Sequence, residues 1–176
     1  GGSPVFKTTS LWIAPTVNTN AGIDANGRGY RGGTPAHPAG WGPGYAGQDG
    51  AGGYGGRGGG ISIPARGATY GSSNAPIEPG SGGGGEAGAW WGANGGGSIR
   101  IEASGTVSVK GKMVTNGGWT PSTWTGGSGG GIYIQCATFE GDATGLLSAD
   151  GTGGNWVGAG GGRIAVWRRN TNTVAT

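Results

Sequence analysis

Few residues of this chain are of the types that carry nucleophilic or metal chemistry. Its 176 residues include one histidine, His37, and one cysteine, Cys136. A cysteine beside a histidine forms the nucleophile and base of thiol enzymes. Here Cys136 continues the apolar side of Ile132 and Ile134 in an alternating stretch, whereas His37 lies in the turn-like stretch 34–38. We therefore expect a buried structural cysteine and no catalytic pair, and the chain lacks the ligands of a structural zinc site.

The eight carboxylates are scattered along the chain. Glycoside hydrolysis needs two carboxylates facing each other across a cleft, but Glu102 and Glu140 lie near predicted strand ends, and Asp24 and Asp150 lie at turns. Calcium-binding β-rolls repeat Gly-Gly-x-Gly-x-Asp, of which only isolated Asp-Gly pairs are present, so calcium at those turns stays an alternative. The sequence predicts no enzyme, no metal and no cofactor, with lyase or hydrolase activity as a third hypothesis.

Two further motifs are weak because 49 of the residues are glycine. The stretch 27–32 matches G-x-G-x-x-G, but no βαβ unit surrounds it to hold a dinucleotide. Arginines among glycines and tyrosines resemble RNA-binding segments, yet the net charge is only +3, so we expect no nucleic-acid partner. No stretch approaches about 20 apolar residues, so we expect no membrane insertion.

Large aromatic residues are the one chemically distinctive type that recurs with the glycine-rich loops. One interpretation is that the rings lie flat on glycine backbone and close the loops. The other is an exposed row that stacks on sugar faces, because aromatic rings with a polar edge suit binding surfaces. The candidates are Trp41, Tyr45, Tyr54, Trp90, Trp91, Trp119, Trp124 and Trp156.

The elements that must position these rings follow an internal repeat. Four glycine blocks end at residues 60, 97, 131 and 162, in steps of 37, 34 and 31, each followed by alternating β-branched residues. A second signature, ending in Asn-Gly or Asp-Gly, recurs at 23–27, 113–117 and 147–151. These pairs are expected to supply positive φ at corners. A period of 20–50 residues indicates a solenoid, propeller or array.

The strand pattern selects among these architectures. Apolar and polar residues alternate strictly in 98–103 and again in 106–110, as half-buried strands require, and 113–115 gives a third short strand. Three strands and a loop in about 34 residues make one coil, so we predict an all-β fold: a right-handed parallel β-helix (β-solenoid) of about four coils with long Gly/Trp-rich loops. The glycine blocks are expected to form polyglycine-II-like segments, with flexible loops as the alternative.

The alternation in "GGSGGGIYI", "LLSADGTGG" and "GAGGGRIAV" resembles the glycine-rich repeats of large secreted bacterial surface, adhesin-like proteins. The resemblance covers roughly residues 22–167. It implies a parallel β-solenoid, often one segment of a longer chain, at an extracellular or cell-surface location, and it transfers no catalytic residue.

We therefore expect a non-enzymatic structural protein of a fibre, stalk or surface layer, with a carbohydrate-binding or adhesin module as the alternative. The expected partner is a second copy, head to tail, or flanking coils of a longer chain; a polysaccharide is the partner under the alternative. The predicted organisation is a docking strand or cap at 1–21, the repeats at 22–169 and a polar tail at 170–176. The self-association candidates are Val5, Phe6, Leu11, Trp12, Ile13 and Trp167.

Overall fold

The regular secondary structure of the described residues is almost entirely β-strand, in parallel sheets, which confirms the all-β prediction. The computed structural model describes residues 5–14 and 22–169, and within these ranges one 3₁₀ turn, Ile63–Ala65, is the only helical element. The predicted tail at 170–176 lies outside the described residues. The strands are Val5–Thr8 (β1), Leu11–Ile13 (β2), Gly22–Asp24 (β3), Trp91–Gly92 (β4), Ser98–Ala103 (β5), Thr106–Val109 (β6), Lys112–Val114 (β7), Thr123–Thr125 (β8), Gly131–Cys136 (β9), Thr138–Gly141 (β10), Leu146–Ser148 (β11) and Arg163–Arg168 (β12).

The strands recur in a fixed order across three sheets. The largest sheet has the order β1-β5-β9-β12, the second β10-β6-β2 and the third β11-β7-β3, and neighbouring strands are parallel in each. We call β1–β3 the first repeat, β5–β7 the second and β9–β11 the third. Each repeat thus contributes one strand to each of the three sheets, and β12 begins the same order again.

The N-terminal segment carries no repeat marker in the sequence, yet its strands belong to these sheets. β1 pairs with β5, and β2 pairs with β6 of the same chain. Conversely, the glycine block ending at Gly60 does not precede a strand. Ile61 and Ile63 after it are exposed, and Ile63 lies in the 3₁₀ turn. The expectation that this block starts a coil is wrong, because residues 25–90 form a long insertion between the first and second repeats.

The core lies between the three sheets, where inward side chains of successive repeats stack in rows. Phe6, Ile101, Ile134 and Val166 are in register across the largest sheet. The predicted inward positions of the second and third repeats have at most 3% exposure, which confirms them: Ile99, Ile101, Val107, Val109, Ile132 and Ile134.

Cys136 also has no exposed surface, so its predicted structural role is confirmed. Burial raises the pKa of its thiol. The core therefore keeps this sulfur protonated and packed as a small apolar group.

The second sequence signature marks one corner of the fold. The side-chain oxygen of Asn26 accepts the amide of Asn116, and that of Asn116 accepts the amide of Asp150, both at 2.7 Å. Gly27 has φ 63° as predicted, but Gly117 and Gly151 are outside the left-handed region. A methyl group on either would instead overlap a carbonyl oxygen of a neighbouring segment, so glycine is needed there for close approach.

The glycine-rich segments are ordered by backbone hydrogen bonds in a three-residue pattern. Amides three residues apart in one segment donate to the same neighbouring segment, at 2.7–3.1 Å. Backbone groups away from water must be paired in this way. Examples are Gly80 and Gly83 onto residues 93–96, Tyr30 and Gly33 onto 80–83, Gly92 and Gly95 onto 30–33, and Gly126 and Gly129 onto 157–160.

Candidate functional site

Three tryptophans from successive loops form a column. The short strands β4 and β8 pair in parallel, and Thr125 bridges Val157 in the loop after the third repeat. This ladder brings one tryptophan per loop into line. Trp90 and Trp124 have ring centroids 6.2 Å apart and planes 14° apart, and Trp124 and Trp156 have centroids 5.3 Å apart and planes 4° apart.

The middle ring of the column is fixed by the surrounding chain. Trp124 is half-buried, and its indole N–H donates to the Oδ1 of Asp49 at 2.8 Å. The amide of Trp156 donates to the carbonyl of Trp124 at 2.9 Å, which sets the spacing of the two rings. Both faces of the middle indole are occupied, so the column supports the interpretation that aromatic rings close the loops.

Trp91 and Trp119 are arranged differently. Adjacent residues of a strand point to opposite faces, so Trp91 projects away from the column that contains Trp90. Trp91 and Trp119 are 46% and 54% exposed and line a groove of about 410 Å³. Within the part of the chain that the structure describes, neither indole stacks on another ring or donates a hydrogen bond.

The wall and floor of this groove come from segments of successive loops. Asn94 follows β4, and its Oδ1 accepts the amide of Gly32 at 2.9 Å. Three glycines and three side chains with hydroxyl groups also line the groove. The residues that line the groove, none of them charged, are Gly27, Trp91, Gly92, Ala93, Asn94, Gly118, Trp119, Thr120, Ser122 and Thr123.

The remaining aromatic candidates lie apart from the groove lining. The guanidinium of Arg31 lies 5.6 Å from the ring centroid of Trp41, which is exposed, as is Tyr45. Tyr54 has no exposed surface, so its ring is not available to a sugar and its proposed stacking role is wrong. It packs on Tyr70 with centroids 4.7 Å apart.

Tyr54 and Tyr70 belong to a partly buried polar cluster within the long insertion. The Tyr54 hydroxyl donates to the Oε2 of Glu78 at 3.2 Å, and the Tyr70 hydroxyl donates to the carbonyl of Pro79. Burial raises the pKa of both phenols well above the usual value, and the negative charge of Glu78 raises that of Tyr54 further. The guanidinium of Arg163 lies 5.7 Å from the Tyr54 ring centroid. This cluster fixes the insertion to β12.

The self-association candidates lie in β1, β2 and β12, each of which is an edge strand of its sheet. Phe6 in β1 is 46% exposed although it is in register with the buried Ile101. Trp12 and Trp167 are also exposed, whereas Leu11 and Ile13 are half-buried and pack on the core. Val5 lies at the start of β1 and is exposed.

The exposure of Ile164 in β12 could not be recognised from the sequence. It is in register with Ile132, which is fully buried, yet it is 43% exposed. The alternation of residues after the glycine block that ends at 162 predicts an inward-facing Ile164. Its exposure follows from its place in the terminal strand, since no described strand lies on the outer side of β12.

Some of the ionisable residues form ion pairs. Arg100 donates to the Oε1 of Glu102 at 2.6 Å, and Lys7 lies 3.5 Å from the Oε2 of the same carboxylate. The Arg100 hydrogen bond holds the pKa of Glu102 below its usual value. His37 is exposed at a turn and Cys136 is in the core, so the structure does not bring them together.

The described residues include no group of three His, Cys, Asp or Glu side chains placed to hold a metal ion. They also include no helix with the length and apolar character to span a membrane. Comparison of this chain with family models, with curated proteins and with solved structures finds no match.

Proposed function

We propose that this chain is a non-enzymatic structural protein, a right-handed β-solenoid whose copies associate end to end. The recurrence of one strand per repeat in each of three parallel sheets supports a coiled path. Connections between parallel strands of one sheet are right-handed in about 98% of cases, which supports the handedness. Three complete coils and the start of a fourth account for β1–β3, β5–β7, β9–β11 and β12.

The glycine-rich segments form a second layer on this solenoid in a polyglycine-II-like arrangement. Polyproline-II-type helices have three residues per turn and no internal hydrogen bonds. The three-residue pattern of donation between segments fits that geometry, because every third amide of such a helix faces the same neighbour. The layer stiffens the coils without a large apolar core, as a stalk or fibre requires.

The observation that carries the proposal is the exposure of core positions at both ends. Phe6 and Ile164 occupy rows whose middle members are fully buried, but each lies in a terminal strand. Terminal strands also present unpaired backbone groups, which template pairing with another chain. Pairing β12 of one copy with β1 of the next would bury both rows. A contact between two different surfaces that does not close into a ring grows a filament.

Resemblance to secreted bacterial surface repeats supports an extracellular or cell-surface location. It also supports the alternative that flanking coils of a longer chain cover the two ends. Both versions make the same physical demand, namely that another coil lies against β1 and against β12.

The test measures association of the full chain by light scattering over a range of concentrations, with electron microscopy of the same samples. Phe6→Lys and Ile164→Lys place a charge on each end, and either change should reduce the association because a buried unpaired charge is costly. Ile61→Lys is the matched control, since Ile61 is an exposed isoleucine outside the sheets, and it should associate like the parent chain.

A parent chain that stays monomeric at high concentration contradicts the proposal. Association that is unchanged in both Phe6→Lys and Ile164→Lys contradicts it as well, provided that circular dichroism shows both variants folded. Equal loss of association in Ile61→Lys would indicate a general effect of charge instead of docking at the ends.

A further inference from the structure

The groove between Trp91 and Trp119 has the features of a carbohydrate site, and it lies apart from the strand edges invoked for self-association. Its volume of about 410 Å³ is within the range of about 300–1,000 Å³ typical of small-ligand sites. Unlike the stacked indoles of the column, the indoles of Trp91 and Trp119 make no ring stack and donate no hydrogen bond to the described residues. The faces of these two indoles are therefore available to a ligand.

The groove offers hydrogen-bonding groups at its rim as well as apolar faces. The Oδ1 of Asn94 accepts the Gly32 amide, which orients the side chain, and no described residue accepts a hydrogen bond from the side-chain nitrogen. The hydroxyls of Thr120 and Ser122 lie 3.0 Å apart and are exposed, so each retains capacity to donate or accept. Hydroxyl and amide groups of this kind match the hydroxyls of a sugar ring.

Backbone hydrogen bonds fix the glycines that line the groove. Gly118 donates its amide to the Asn94 carbonyl at 2.8 Å, and Gly27 donates to Asn116 at 2.9 Å. Glycine lets these segments pack closely: a methyl group on Gly92 would overlap the carbonyl oxygen of Gly83, and one on Gly27 or Gly118 would press on the Cα atom of the other. The part of the groove lining that these three residues contribute is therefore backbone.

The charge of the groove decides which carbohydrates fit. None of its lining residues is charged, so no cation is present to pair with a uronate, sulfate or phosphate group. Burying such an anion without a partner is unfavourable. An uncharged pyranose has aliphatic C–H faces to stack on indole and hydroxyls at its edge, and it loses no ionic solvation on entering the groove.

We propose that this groove binds a pyranose unit of a neutral polysaccharide, with Trp91 and Trp119 stacking on the sugar and Asn94, Thr120 and Ser122 contacting its hydroxyls. The inference goes beyond the proposed self-association and does not depend on it. A structural solenoid with this site would attach to a polysaccharide along its side while its ends remain available to other coils.

The experiment titrates the full chain with cellohexaose, mannohexaose and N-acetylchitohexaose, and with hexagalacturonic acid as the anionic comparison. Binding is followed by tryptophan fluorescence and by calorimetry. At least one neutral hexasaccharide should bind, and the anionic one should bind at least about tenfold more weakly. Trp119→Ala should weaken the neutral binding by about tenfold or more, and Trp91→Phe should weaken it less because a ring is retained.

Trp41→Ala is the matched control, because Trp41 is exposed to a similar degree but does not line the groove. It should leave the affinity unchanged. Absence of binding for all three neutral sugars overturns the inference, as does binding that survives Trp119→Ala or falls equally in Trp41→Ala. Light scattering of Trp119→Ala should match the parent chain, so a failure of this inference is separate from a failure of the proposed association.

Discussion

The indole rings of Trp124 and Trp156 stack nearly parallel, with centroids 5.3 Å apart and planes 4° apart, although 32 residues separate them in the chain. Trp124 also contacts Trp90 and donates to Asp49, so one side chain joins three loops. The contacts of the column therefore hold neighbouring loops together, as hydrogen bonds hold neighbouring strands together in the sheets.

Removing the middle ring should destabilise the chain more than removing an exposed one. Trp124→Ala loses two ring contacts and the bond to Asp49, so we expect a decrease of about 2–4 kcal/mol in the free energy of unfolding. Trp119→Ala, which removes an exposed ring outside the column, should cost about 0.5 kcal/mol or less. Urea unfolding measures both. Equal costs would mean that the column does not hold the loops together.

Replacement by aspartate should destabilise the chain to very different degrees at two neighbouring residues of β9. Ile134 has no exposed surface, whereas the adjacent Tyr133 points to the other face of the strand and is half-buried. Ile134→Asp buries an unpaired charge and should cost about 4 kcal/mol or prevent folding. Tyr133→Asp should be clearly milder in the same circular dichroism melts. Similar destabilisation by the two changes would contradict the orientation of β9.

Glycine is required where segments touch and dispensable where they do not. A methyl group at Gly96 would overlap the carbonyl oxygen of Thr115, and one at Gly130 would overlap that of Gly97, whereas nothing lies within 4 Å of the same position at Gly153. We expect Gly96→Ala and Gly130→Ala each to cost about 2 kcal/mol or more. Gly153→Ala should change stability by less than about 1 kcal/mol and can raise it, because alanine restricts the unfolded chain.

Chemical denaturation of these three variants provides the comparison. A Gly96→Ala chain as stable as Gly153→Ala would mean that the segments can separate without cost, and it would argue against a packed glycine layer.

The buried phenols should make the fold sensitive to alkali. Burial raises the pKa of Tyr54 and of Tyr70, and Glu78 adds to the effect at Tyr54. A pKa that is higher in the folded than in the unfolded chain gives stability that is fully present below the unfolded value, about 10, and is lost as the pH rises above it. The free energy of unfolding should therefore fall above about pH 10.

Tyr54→Phe removes one of these phenols and should reduce the alkaline slope of stability. Tyr45→Phe is the control, since Tyr45 is exposed, and it should keep the parent slope. Urea unfolding at several pH values, with phenolate absorbance followed in parallel, measures the effect. A slope that Tyr54→Phe leaves unchanged would contradict the assignment to this residue.

The sequence by itself determined the strands of the second and third repeats and the burial of their inward side. Alternation of apolar and polar residues is local, because successive side chains of a strand face opposite ways. The inward residues Ile99, Ile101, Ile132 and Ile134 could therefore be assigned without knowledge of the rest of the chain. The same holds for Cys136, which continues that alternation. Asn26 and Asn116 were recognisable as corner residues for a similar reason.

Only the tertiary structure decided which segments the glycine blocks contact. A glycine has no side chain to signal its neighbour, so the acceptor for an amide such as that of Gly80 depends on how distant parts of the chain pack. This is why the block before Ile61 looked like a strand start, and why β1 and β2 were not recognised as members of the sheets. The surroundings of Trp90 and Trp91 likewise differ, because adjacent residues of extended chain at the start of β4 point to opposite sides. The indole of Trp90 joins a stack and that of Trp91 lines a groove. Two adjacent residues of the same type give no sequence signal that would distinguish these positions.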